Sequence, residues 1–180
     1  ADLVYFSGIT LAILTPDRRR DLLAALAASG ARVAFDSNMR LRLWSDADEM
    51  RDWIMKAAAV AHIALPSFDE ESQYFGDADP ARTAARYRDA GVAEVLVKNG
   101  GGDMLGIDAE GRSHPLPCPE RITPVDTTGA GDSFNGGYLS ARLAGQDMEQ
   151  AVARGHATAA EVIRRPGALI DPDLLRTGAA

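Results

Sequence analysis

The sequence predicts an α/β fold built on a mostly parallel, doubly wound sheet, and three observations carry that prediction. Short apolar runs of strand length alternate with amphipathic helical segments along the chain. Capping residues, glycines and prolines separate the two kinds of segment. Segments 36–40, 66–71 and 99–102, polar or glycine-rich, each follow a strand, where ligands of such sheets are expected beyond the carboxyl ends. With 180 residues, 46% hydrophobic and 25% charged, the chain fits one globular domain, expected over residues 1–180.

The first element is Leu3-Val4-Tyr5-Phe6, a buried-strand run with the look of an interior element. Thr15-Pro16-Asp17 starts a helix with proline at its first position, Leu22, Leu23 and Leu26 share a face, and Gly30 stops it. The cluster Arg18-Arg19-Arg20 on its first turns is expected to be a solvated face. A strand follows at 32–36. Ser45 and Asp48 suggest a capping box, after which Met50, Trp53, Ile54, Ala57 and Ala58 recur on one helical stripe. His62 to Leu65 reads as a short strand closed by Pro66, and 69–75 and 80–90 read as helices. Val95 to Val97 is a strand. Met104 to Ile107, the turn Asp108-Ala109-Glu110-Gly111 and a proline-punctuated stretch imply a hairpin and loop. Helices are expected from Ala130 to Ala144, ended by Gly145, and from Met148 to Arg164, ended before Pro166, with a small polar-flanked tail at 177–180. A doubly wound sheet needs more strands than these, so an N-terminal portion is expected to lie outside the chain.

A net charge of −7 and a pI near 4.9 argue against general affinity for nucleic acid or anionic membrane. No apolar run reaches membrane-spanning length, and no basic lead-in precedes a long apolar segment. Cys118 is the sole cysteine, set between Pro117 and Pro119, so no internal disulfide forms and a reducing cytoplasm is the expected compartment. His62 and His114 lack the spacing of metal ligands, and no protein-bound zinc is expected.

Residues 126–132, Asp-Thr-Thr-Gly-Ala-Gly-Asp, run into Ser133-Phe134-Asn135-Gly136-Gly137-Tyr138, delivering a carboxylate onto the first turn of a helix. Free N–H groups at a helix start attract phosphate, and glycine lets it approach the backbone. A carboxylate beside an anion site repels the anion unless it has its own task, and deprotonating an attacking hydroxyl in phosphoryl transfer is such a task. The plain alternative is a capped helix after a glycine turn.

The motif resembles the C-terminal signature of the ribokinase-like (PfkB) sugar kinases. That resemblance implies a three-layer αβα fold whose N-terminal part and lid are missing here. It also implies an anion hole from Gly129, Ala130 and Gly131, a catalytic base in Asp132 that meets the substrate hydroxyl, and a monovalent-cation site, for potassium, near Asp126 and Thr128. Asp36-Ser37-Asn38-Met39-Arg40 with Leu43-Trp44 is similar to the segment of 2-keto-3-deoxygluconate kinases in which the arginine helps hold an acidic sugar; Asn38 and Arg40 are the substrate-binding candidates. By themselves these two residues could equally organise a turn and a surface ion pair.

Ser67-Phe68-Asp69-Glu70 falls on the family's Asn-x-x-Glu pattern with serine in place of asparagine. Glu70 is therefore the magnesium candidate, through water, and Glu71 is expected to face solvent; acids in a first helical turn also need no further role. Ser67, Lys98, Gly100, Gly101, Gly102 and His156 are the candidate nucleotide contacts. Lys98 could instead be a strand-end charge in water, and His156 a satisfied interior histidine. The resemblance implies transfer of the γ-phosphoryl of ATP, with magnesium, to the 6-hydroxyl of 2-keto-3-deoxygluconate, no nucleic-acid or membrane partner, and a homo-oligomer through the lid region. A neutral sugar such as fructose or ribose is the alternative substrate, and a non-catalytic nucleotide-binding module the alternative function. A dinucleotide-binding oxidoreductase is disfavoured because Phe134 stands where a third glycine is needed and Glu149 opens a helix rather than ending a strand. No Gly-Lys-Ser or Gly-Lys-Thr occurs, so a Walker-type loop is excluded.

Overall fold

The computed structural model describes residues 1–118 and 122–175, in two compact units, 1–115 and 116–180. Pro119 and the tail at 177–180 lie outside the described residues. Each unit is built from elements whose ends the sequence marks.

In the first unit, β1 (Leu3–Ser7), β2 (Arg32–Asp36), β3 (Ile63–Ala64) and β4 (Glu94–Val97) pair in parallel and in chain order, and β5 (Met104–Ile107) joins β4 antiparallel. β6 (Ser113–Leu116) completes a six-stranded sheet. The expected α/β class with a mostly parallel sheet is what the chain forms. Phe6, Val33, Phe35, Ala64, Val95 and Val97 point to one face and pack with residues of three helices, α2 (Pro16–Ala28), α3 (Ala47–Ala58) and α5 (Pro80–Asp89). Ala34, Ile63 and Leu96 on the opposite face are also fully buried, as parallel strands with both faces covered require. The short helices α1 (Gly8–Ala12) and α4 (Phe68–Phe75) follow β1 and β3.

Three expectations are corrected here. Among the described residues β1 pairs only with β2, so it lies at the sheet edge and Tyr5 is exposed rather than buried. The N-cap of α3 is Asp46, whose carboxylate accepts the Glu49 N–H at 2.8 Å, not Ser45; Ser45 instead donates its N–H and hydroxyl to the Glu49 carboxylate. Arg19 is 5% exposed, not solvated, because it shares the helical stripe of Leu23 and Leu26 and finds partners for its whole guanidinium.

The second unit is a pair of helices, α6 (Ala130–Leu143) and α7 (Met148–Ile163). Gly145, in the left-handed region at φ 81°, turns the chain, and a reciprocal capping box between Asp147 and Gln150 starts α7. Close approach fixes their packing. A Cβ on Gly155 would come within 2.8 Å of the Phe134 ring, and one on Gly137 within 2.6 Å of the Thr158 hydroxyl. Among the described residues no helix is long and apolar enough to cross a membrane.

Candidate active site

At the carboxyl ends of β2 and β4, Asp36 and Lys98 meet. Lys98 Nζ lies 3.2 Å from Asp36 Oδ2, and both residues are buried. The Tyr5 hydroxyl reaches the same oxygen at 3.5 Å. Lys98 is thus not a strand-end charge in water. Pairing continues past β3 and β4, since Lys98 donates its N–H to Pro66 O and accepts one from Phe68 N, each at 2.8 Å, which sets Ser67 beside Lys98.

Beyond β2 the chain enters the loop of the two substrate candidates. Asn38 takes φ 29°, in the left-handed region that asparagine tolerates, and its N–H reaches the Asp36 carboxylate at 3.3 Å. Glu70, on the first turn of α4, holds the next two residues: Oε2 accepts the Met39 N–H at 2.9 Å and Oε1 pairs with Arg40 Nη1 at 2.6 Å. The residues assigned by resemblance to the sugar acid and to magnesium are therefore in contact with each other. Burial pushes the Glu70 pKa up, opposed by the Met39 N–H and the Arg40 charge.

Glu71 does not face solvent. It is fully buried, accepting the Tyr87 hydroxyl at 2.8 Å and pairing with Arg86 at 2.7 Å. Arg86 also pairs with Asp77 and lies over the Phe75 ring, 3.7 Å from its centroid. Acids at 69, 70 and 71 look alike in sequence, but helix rotation sends Glu71 inward, where α5 supplies its partners. Burial raises the pKa of Glu71 and of Tyr87, with Arg86 opposing both shifts.

After β4, Gly100 at φ 52° and a Gly102 N–H to Asn99 O bond of 2.6 Å make a tight turn. A Cβ on Gly102 would sit 2.9 Å from the Asn99 side chain, whereas Gly101 has open space, so its backbone is approachable.

In the second unit the signature forms the start of α6. Gly129 is its N-cap in the left-handed conformation at φ 77°, and a Cβ there would lie 2.8 Å from that of Ala168. Glycine is thus required twice over. Ala130 N donates to Thr127 O and Ser133 N to Gly129 O, while the N–H groups of Gly131 and Asp132 fall in the first turn, which has no intrahelical acceptors. Gly131 borders open space and Asp132 is exposed. Asp126 accepts the Thr128 N–H at 2.9 Å, the Thr128 hydroxyl at 2.6 Å and the Gly167 N–H at 2.9 Å, which tie 166–168 to the signature and lower its pKa to about 2. Asp126 and Thr128, the cation candidates, are thus adjacent. His156 stands edge-on to Phe134 with centroids 5.3 Å apart; its Nε2 is buried without a hydrogen-bond partner among the described residues, and burial lowers its pKa, favouring neutral imidazole. His62 and His114 serve structure, His62 Nδ1 accepting the Val33 N–H at 3.0 Å and His114 meeting Asp108 at 2.9 Å.

Sequence reading missed the Asp36–Lys98 pair, the Glu71–Arg86 pair and the buried Arg19. Only Arg19 left a signal, its i, i+4, i+7 spacing with Leu23 and Leu26.

Parallel strands followed by this glycine turn and carboxylate are the features of a carbohydrate-kinase family, and the family profile described as pfkB family carbohydrate kinase matches residues 1–174. The chain belongs to that family. Over 174 residues it is 41% identical to the 2-dehydro-3-deoxygluconokinase of Escherichia coli K12, covering 94% of this chain and 56% of that protein. Among solved structures it is similar to a PfkB protein from Polaromonas sp. JS666, at TM-score 0.81 and 30% identity, covering all of this chain and 57% of that one. It is also similar to aminoimidazole riboside kinase from Salmonella enterica, complexed with aminoimidazole riboside and an ATP analog, at TM-score 0.79 and 33% identity, covering 97% and 61%. The chain therefore spans little more than half the length of these relatives.

Proposed function

We propose that the protein carrying this chain is an ATP-dependent kinase for the 6-hydroxyl of 2-keto-3-deoxygluconate, acting in sugar-acid catabolism. The observation that carries the reading is the left-handed Gly129 cap, which opens α6 so that Asp132 stands in the first turn beside two N–H groups without helical acceptors. The 41% identity to a 2-dehydro-3-deoxygluconokinase supports the choice of substrate.

The residues present fit the nucleotide and the metal. Open space at Gly131 and Gly101 suits close approach by phosphate, and a single carboxylate, Glu70, suits a magnesium ion that keeps its waters and phosphate ligands. ATP supplies the transferable phosphoryl group when bound, magnesium shielding its charge. Asp132 takes the proton of the attacking hydroxyl, and of the expected anion hole at 129–131 with Asp132, the amides of Gly131 and Asp132 stabilise negative charge on the phosphoryl oxygens, the Ala130 N–H being donated to Thr127 O. Arg40, with Asn38 shaping its loop, holds the sugar carboxylate, and Glu70 would hold magnesium through water. Ser67, Lys98, Gly100 to Gly102 and His156 contact the nucleotide, and Asp126 with Thr128 flanks a monovalent cation such as potassium.

The test is magnesium- and ATP-dependent ADP release by the full-length protein offered 2-keto-3-deoxygluconate, fructose and ribose. Turnover confined to the acidic sugar supports the reading. Turnover only on a neutral sugar keeps Asp132 and replaces the substrate, the second reading, which the riboside kinase likeness favours. No turnover on any sugar turns the reading toward a non-catalytic nucleotide-binding module.

A further inference from the structure

We infer that Arg19 is a positioning residue for the loop that carries Arg40, acting through Trp44 and Glu49; its effect on substrate rests on the reading that Arg40 holds the sugar carboxylate. Arg19 stands on α2 and contacts Leu11, Ala12, Glu49, Trp44 and Trp53, none of which has an assigned role, yet every part of its guanidinium is engaged. Nε donates to Leu11 O at 2.8 Å and Nη2 donates to Ala12 O at 3.5 Å, so Arg19 caps the carbonyl end of α1. Nη1 pairs with Glu49 Oε1 at 2.6 Å. Arg19 Cζ lies 4.5 Å from the Trp44 ring centroid and 5.4 Å from that of Trp53.

Two of these contacts grip the far end of the Arg40 loop. Trp44 is buried at 8% exposure and lies four residues beyond Arg40. Glu49, held by Arg19, accepts the Ser45 N–H at 3.2 Å and the Ser45 hydroxyl at 2.6 Å. At its near end the loop is held by Asp36 and Glu70 through Asn38 N, Met39 N and Arg40. Between the two anchors Leu41, Arg42 and Leu43 are exposed. Without Arg19 the far anchor keeps the Ser45–Glu49 bonds but loses the guanidinium that holds Glu49 and faces Trp44. A planar, five-donor group is needed for this work, since lysine supplies one point charge and no stacking face.

The experiment compares full-length wild type with Arg19→Leu, Arg19→Lys and Glu49→Gln by limited trypsin digestion, fluorescence and kinetics. Arg40 and Arg42 are themselves tryptic sites, and Arg112, exposed in the β5–β6 turn, is an internal control. Trp44 and Trp53, the two tryptophans of this sequence, both flank Arg19, so the change in emission on substituting Arg19 reports this contact. Arg19→Leu is expected to speed cleavage after Arg40 and Arg42 but not after Arg112, and to red-shift emission. The KM for 2-keto-3-deoxygluconate is expected to rise roughly tenfold to a hundredfold, with the KM for ATP within about twofold of wild type, as for a misplaced binding group. Arg19→Lys should fall between. Unchanged cleavage after Arg40 and Arg42, or equal acceleration at Arg112, overturns the anchoring. Loop-specific cleavage with both KM values unchanged overturns the positioning role. If Arg19→Leu does not fold, Arg19→Lys and Glu49→Gln are judged by the same criteria. Digestion needs no substrate, so a failure of the sugar assignment, seen as wild-type turnover only on neutral sugars, is distinct from a failure of the anchor.

Discussion

Single side chains in this protein differ in what their surroundings ask of them. Asp132 is exposed in the first turn of α6, and the proposed function gives it the task of accepting a proton. Asp132→Asn keeps the shape and removes the base. Turnover is expected to fall by about 10²- to 10⁴-fold with nucleotide affinity retained, measured by steady-state kinetics beside a binding titration. Near-normal turnover sinks the assignment. Asp126, by contrast, takes three donors, and its folded pKa of about 2 is below the ordinary 3.8. A depressed carboxylate contributes stability that is complete above its unfolded pKa and lost as pH falls through its folded one. The Tm gap between wild type and Asp126→Asn should therefore be constant near neutrality and close between about pH 4 and pH 2. A gap that persists unchanged to the acid end would rule out the charged-carboxylate account.

At the scale of elements, α4 and α5 are held by Glu71, Arg86, Asp77 and Tyr87 rather than by apolar contact alone. A fully buried carboxylate stripped of its cation costs more than the pair contributes. Arg86→Leu is expected to destabilise the protein by about 3–5 kcal/mol in urea unfolding, and adding Glu71→Leu should recover part of that loss. If the double variant is no better than the single one, packing of Arg86 on Phe75 is the larger effect. The same network sets the rotation of α4 that turns Glu70 outward toward Arg40. Helices α6 and α7 follow a different rule, in which Gly137 and Gly155 admit neighbouring groups too close for any Cβ. Phe134, which argues against a dinucleotide-binding turn in the sequence, is the ring that fills the space over Gly155.

Substrate choice belongs to the whole protein, of which this chain matches little more than half the length of its relatives. Under the proposed function this chain contributes a guanidinium, Arg40, whose charge is shared with Glu70. Arg40→Ala is expected to raise the KM for an acidic sugar by about tenfold or more, through loss of a charge-assisted contact, while the KM for ATP changes little. An equal rise for fructose or ribose would mean that Arg40 supports the loop and does not read the carboxylate.

Local chemistry was legible in the sequence because its causes are local. Thr15-Pro16, Gly145, the Met50 to Ala58 stripe and the Gly129 to Asp132 turn are each specified by residues within a turn or two of themselves, through caps, backbone freedom and periodicity. Strands expected at 3–6, 32–36 and 95–97 were readable for the same reason and form at 3–7, 32–36 and 94–97. The fate of the charges was not. Asp36 meets Lys98 across 62 positions, Arg40 meets Glu70 across 30 and Arg19 meets Glu49 across 30. Whether an ion is solvated or buried depends on a partner that only the folded chain brings within reach, since burial without one is prohibitive. The sequence by itself determined the α/β order and the glycine turn that sets Asp132 in the first turn of α6. Tertiary structure alone decided that Glu71 and Arg19 are interior and that Arg40 and Glu70 share a contact, because desolvation and pairing act through space and not along the chain.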